Sequence, residues 1–137
     1  MAYVSLDSDQ IKKAHKKHKY TKEQVEQLEK CMNPTSGPLF FMKEFMKIQH
    51  PVKGSMAFHP FPYQERLINS YNDHRFSIAM LPRQTGKTTC ASGYLIWYAM
   101  FRPDSQILIA AHKYAGASDI MSRVRYAYEM LPSWIKA

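Results

Sequence analysis

The run Leu81-Pro-Arg-Gln-Thr-Gly-Lys-Thr-Thr89 sets one glycine, two cations and three threonines side by side. These residue types suit the grip of a phosphate chain. Gly86, Lys87 and Thr88 fill the second half of the phosphate-loop pattern G-x-x-x-x-G-K-[ST], while the position of its first glycine holds Leu81. Backbone N–H groups from Gln84 through Thr85 and Gly86 to Thr88 are expected to wrap a β-phosphate, with Thr89 completing the nucleotide-binding stretch. Gly86 lets the backbone turn tightly. Lys87 would reach the β- and γ-phosphates as a point charge, and the Thr88 hydroxyl would coordinate Mg²⁺. Arg83 adds a second cation at the loop tip, where charge develops on a γ-phosphate during hydrolysis. Arg83 and Lys87 are therefore the candidate catalytic residues, and ATP and Mg²⁺ the expected ligands. Pro82 can shape the exit from the preceding strand by restricting φ, where a glycine would have freed it.

Such a loop needs a strand before it and a helix after it, because the phosphates sit at the helix N-terminus. Both neighbours are expected. Phe76-Ser-Ile-Ala-Met-Leu81 is a short apolar run ended by proline, the pattern of a buried strand. Lys87 to Phe101 reads as a helix closed by Arg102-Pro103-Asp104, and Gln106-Ile-Leu-Ile-Ala-Ala111 as a second strand of the parallel-sheet kind. Ser118 can cap a last helix to about Met130, burying Ile120, Val124, Ala127 and Leu131. Strand, loop, helix, strand and helix in this order open an α/β sheet built from parallel crossovers.

Upstream the texture is helical and charged. Thr21-Lys-Glu-Gln24 has the form of a capping box, with Val25, Leu28 and Cys31 on one face and Asn33-Pro34 ending the helix. Leu39 to about Gln49 carries Phe41, Phe45 and Ile48 at helical spacing, and an irregular segment to Pro60 follows. A third helix starts at Pro62 and runs to about Asn72, with Leu67, Ile68 and Tyr71 inward. The Lys- and His-rich residues 11–20, IKKAHKKHKY, are a solvated helix face or an arm for phosphates. The division that follows is a helical, basic lead-in over residues 1–60 and the front half of a nucleotide-binding domain over residues 61–137.

The chain of 137 residues has a formal net charge of +8 and a pI near 9.5, which favours an anionic partner such as nucleic acid or nucleotide. Cys31 and Cys90 stand far apart, in neither a metal-like spacing nor a disulfide framework. No secretory signal and no run near the ~20 apolar residues of a membrane span is present, so an intracellular protein without a membrane partner is expected.

Gln64 lies 23 residues before Lys87, in Phe61-Pro-Tyr-Gln-Glu-Arg66. Its amide offers a donor and an acceptor side by side, which matches the N6 and N7 edge of adenine. Tyr-Gln at the head of a helix, then a strand, then x-Arg-Gln-x-Gly-Lys-Thr-Thr resembles the large terminase subunit of tailed phages, in its T-even-like branch. The likeness continues through Ile107-Leu-Ile-Ala-Ala-His-Lys113 and Glu129-Met-Leu-Pro132. Upstream it takes in Met42-Lys-Glu-Phe-Met-Lys-Ile-Gln-His-Pro51, and it covers roughly residues 38–137. The resemblance implies an incomplete P-loop NTPase of RecA-like (ASCE) type, the front of the ATPase that drives double-stranded viral DNA into a procapsid. It implies that Gln64 contacts adenine, that Lys87 and Thr88 serve phosphate and magnesium, and that Arg83 senses the γ-phosphate. The portal and the small terminase subunit are the partners it implies, in the host cytoplasm. His112 and Lys113 belong to an element after the second strand, or to an ordinary solvated strand end.

In that family an apolar strand ending in Asp-Glu follows, then a coupling motif and a nuclease domain. No Asp-Glu pair follows an apolar run in this sequence. A fragment with weak nucleotide binding and little or no hydrolysis is therefore expected, working with a complementing C-terminal half. Two further readings stand beside it. One is a helicase-like translocase, which would show a Pro-Thr element where Ala-His-Lys-Tyr114 stands. The other is a non-catalytic, basic DNA- or portal-binding module with a vestigial loop.

Overall fold

The computed structural model describes residues 19–50 and 52–136, so most of the basic stretch 11–20 lies outside the described residues. Thr21 opens the first helix, α1 (Lys22–Met32), with the reciprocal bonds its sequence calls for. Gln24 N–H donates to Thr21 Oγ1 at 3.3 Å, and Thr21 N–H donates to Gln24 Oε1 at 3.1 Å. Thr21→Ala should lower stability by about 1 kcal/mol, read as a lower urea midpoint at unchanged slope. Cys31 is buried and Leu28 partly so, whereas Val25, expected on the same face, is exposed. Asn33 ends the helix by accepting the Thr35 and Ser36 N–H groups at 2.9 and 3.0 Å on its Oδ1.

The second helix, α2 (Gly37–Glu44), is shorter than its apolar spacing predicts. Its expected last turn forms strand β1 (Lys47–His50), which pairs antiparallel with β2 (Gly54–Ala57), Ile48 opposite Met56. The hairpin overrides the helical spacing because β1 gains a ladder partner and because His50 organises the turn. His50 Nδ1 accepts the N–H groups of Val52 and Lys53 at 3.2 and 3.1 Å. Phe41 and Phe45 still reach the core, and Ile48 packs against it from the strand.

Helices α3 (Pro62–Asp73) and α4 (Lys87–Phe101) fall where the sequence places them. The last helix, α5 (Tyr114–Glu129), begins before Ser118, with Lys113 as its extended N-cap. Helix α4 is the hub, packed by α2, α3 and α5. Trp97, Phe41, Met42, Ile68 and Leu131 are fully buried around it. The core thus draws on both sides of residue 60. Gly93 admits α2 to close range, since a Cβ there would meet the Met42 and Met46 side chains. Lys136 near the chain's end is largely buried, its Nζ donating to the Glu129 carbonyl at 2.8 Å, and burial lowers its pKa.

The parallel sheet expected from residues 76–81 and 106–111 is not formed. Among the described residues the hairpin β1–β2 is the sole sheet, and the two apolar segments run without ladder partners. Phe76, Ile78, Met80 and Leu108 are 82–97 % exposed. A strand's N–H and C=O groups need a neighbouring strand, and a central strand's apolar faces need layers on both sides. Among the described residues these two segments meet neither requirement. The architecture is therefore mixed, helices around α4 with one small antiparallel hairpin.

Candidate functional site

The loop from Leu81 to Gly86 leads into α4, and its backbone takes an uncommon path. Gln84 and Gly86 both adopt left-handed conformations, φ 62° and 76°. Glycine bears this freely. For Gln84 it costs on the order of 1 kcal/mol, the kind of strain that concentrates at functional loops. Thr85 Oγ1 donates to the Pro82 carbonyl at 3.0 Å and closes the curl. Cys90 N–H donates to Gly86 O at 2.9 Å, so the N–H groups of Lys87, Thr88 and Thr89 stand ahead of the helical ladder. Together with the helix dipole they form a cradle that suits an anion.

Lys87 is exposed, and its Nζ donates to the Leu81 carbonyl at 3.3 Å. The cation thus sits across the loop, tied to the residue that replaces the pattern's first glycine. Arg83 and Gln84 are exposed at the tip, while Thr88 and Thr89 are half-buried. His112 and Lys113 are exposed ahead of α5.

Gln64 reaches the loop from α3. It is 6 % exposed, and both ends of its amide are engaged with backbone. Its Nε2 donates to the Thr85 carbonyl at 3.0 Å, and its Oε1 accepts Phe61 N–H at 3.0 Å. One N–H and one acceptor lone pair remain. Tyr63 Oη donates to the same Thr85 carbonyl at 2.9 Å, a contact that sequence reasoning missed. Its signal was the aromatic neighbour of Gln64 in the first turn of a helix, but only the tertiary approach of α3 to the loop shows its use. The fold therefore brings Gln64, Thr85, Gly86 and Lys87 together, with Tyr63 added.

Gly86 is sterically committed. A Cβ there would stand 2.6 Å from Gln64 Nε2, at a φ that side chains rarely adopt. Gly86→Ala should therefore displace Gln64 from the Thr85 carbonyl and lower stability by about 2 kcal/mol, seen as a reduced denaturation midpoint.

Behind the loop, burial pushes the Cys90 thiol up to about 11. Burial, with a smaller contribution from Glu44, pushes Cys31 up to about 12. Both thiols are free, buried and protonated at neutral pH. A cavity of about 600 Å³ between β1, α4 and α5 shares only Thr89 with the loop residues. Among the described residues no group of three or more His, Cys, Asp or Glu is placed to hold a metal ion. No described helix is long and apolar enough to cross a membrane.

Residues 78–137 match the family described as terminase large subunit, T4likevirus-type, N-terminal. The match takes in the whole loop, α4 and α5, and it shows the resemblance read from the sequence over that part of the chain.

Proposed function

We propose, for a chain whose residues 78–137 carry the N-terminal family of the T4-like terminase large subunit, that it supplies the nucleotide-binding part of a DNA-packaging motor. Its ligands are ATP with Mg²⁺, and double-stranded viral DNA is the cargo of the motor it serves. The family match over the loop is the observation that carries this reading, and it weighs against a helicase-like translocase.

The loop geometry supports it. Curled backbone at Gln84 and Gly86 and three N–H groups at the head of α4 offer a seat for the β-phosphate. Lys87 leaves the Leu81 carbonyl and turns to the β- and γ-phosphates, and Arg83 approaches the γ-phosphate from the exposed tip. The Thr88 hydroxyl takes the magnesium. Gln64 has a free N–H and lone pair for the adenine edge, held in place by Phe61 and Thr85. Bound magnesium would screen the phosphate charge. With no Asp-Glu pair after an apolar run, this chain binds nucleotide with little or no turnover of its own.

The exposed apolar segments 76–81 and 106–111 are the edges on which further strands complete a parallel sheet. The portal and the small terminase subunit are the partners of that assembled state, in the host cytoplasm. The test is Mg²⁺-dependent binding of a fluorescent ATP analogue to this chain and to its Lys87→Ala variant, with phosphate release followed in parallel. Binding that is lost in the variant, without turnover, is the expected result. Equal or absent binding in both would overturn the reading and leave the basic surface, tested by the salt dependence of DNA binding.

A further inference from the structure

Phe61 is an anomaly by the rules of its own helix. It occupies the N-cap of α3, where Ser, Thr, Asp or Asn would satisfy a free N–H, and a phenylalanine ring cannot. The ring is also 62 % exposed. A large apolar ring in water at a position that favours a small polar residue asks for a use outside the fold.

Its surroundings indicate that use. Phe61 lies nearly parallel to Tyr63, with ring centroids 5.9 Å apart and an interplanar angle of 6°. Tyr63 is tied by its hydroxyl to the Thr85 carbonyl, in the residue before Gly86. The Phe61 backbone is tied by its N–H to Gln64 Oε1, and Gln64 in turn holds the same Thr85 carbonyl. The exposed ring is thus linked to the phosphate loop by two short paths, one through a stacked ring and one through a buried amide. A flat aromatic surface held beside a seat for phosphates is the arrangement that receives a nucleobase. Aromatic rings stack bases readily, and they do so with little regard to which base it is.

We propose that Phe61 is the base-stacking residue of this site: its ring packs against the nucleobase of the nucleotide whose phosphates the Gly86–Thr88 loop holds. This rests on the nucleotide-binding reading above and adds a residue to it. Phe61 binds the base by its face, so its contribution is the same for ATP and GTP. Any preference between them comes from the remaining donor and acceptor of Gln64. Tyr63 is a positioning residue that keeps the ring in line with the loop.

The test separates base from phosphate. Titration calorimetry with Mg²⁺ would measure ATP, GTP and inorganic tripolyphosphate on the full chain and on Phe61→Ala. The variant should weaken ATP and GTP by a similar factor of about ten and leave tripolyphosphate unchanged. Phe61→Trp should retain ATP binding, and its added fluorescence over the Trp97 and Trp134 background should be quenched by ATP but not by tripolyphosphate. Unchanged ATP binding in Phe61→Ala would overturn the proposal. An equal loss for tripolyphosphate would also overturn it, because the ring would then act on the loop. If the parent chain bound tripolyphosphate but gained nothing from a base, stacking would fail while the phosphate loop stood. If the parent bound neither, the nucleotide reading itself would fall, and this proposal with it.

Discussion

Lys87→Ala should lower the affinity for Mg²⁺-ATP by one to two orders of magnitude while leaving the fold intact. The size follows from a charge-assisted hydrogen bond to phosphate, worth about 1.5–3 kcal/mol, at ~1.4 kcal/mol for each tenfold. The intact fold follows from the structure. Lys87 is exposed, its one described bond runs to the Leu81 carbonyl at 3.3 Å, and that carbonyl sits at the half-exposed start of the loop. Truncation there should stay within about 0.5 kcal/mol of the parent's stability. A urea titration beside a nucleotide titration checks both statements. Loss of binding with an unchanged midpoint assigns Lys87 to the ligand, whereas a shift in both would make it a structural residue. Lys87→Arg sharpens the result. The planar guanidinium keeps the charge but not the compact ammonium geometry, so partial recovery is expected, and recovery should fade as salt screens the pair.

Local chemistry explains which parts of this fold could be read in advance. Thr21 and Gln24 form their box, α3 starts at Pro62, and α4 runs from Lys87 to Phe101, because caps, proline and apolar spacing act within a few residues. Residues 76–81 and 106–111 read as strands, yet among the described residues neither finds a ladder partner. A helix satisfies its own backbone, but a strand is completed only by another strand. The hairpin β1–β2 escaped for the converse reason. Phe41, Phe45 and Ile48 fit a helical period, and the pairing of Ile48 with Met56 depends on a segment that reads as irregular. At the site, the residues of the loop itself were legible from spacing. Tyr63 was not, because its bond to Thr85 spans 21 intervening residues and exists only once α3 lies against the loop.

Trp97→Ala should be the most damaging single truncation, and its effect on nucleotide binding should come entirely through folding. Trp97 is 1 % exposed and packs against Tyr94, Tyr98 and Phe101. Its Nε1 donates to the Cys31 carbonyl at 2.8 Å, which fastens the hub helix α4 to the end of α1. Emptying such a site costs about 3–5 kcal/mol, and the stranded carbonyl adds about 1–3 kcal/mol. That sum rivals the whole stability of a small domain, roughly 5–15 kcal/mol, so the variant should be largely unfolded by circular dichroism at room temperature. Trp97→Phe isolates the hydrogen bond. It keeps most of the ring volume and should cost only about 1–3 kcal/mol, with Trp134 remaining as the fluorescent reporter of urea unfolding. Trp97 lies about 15 Å along the axis of α4 from Lys87, too far to touch a phosphate in the loop. Trp97→Phe should therefore bind Mg²⁺-ATP as the parent does wherever it is folded. A loss of affinity in the folded Phe variant would mean that the seat of α4 against α1 sets the geometry of the loop at its other end.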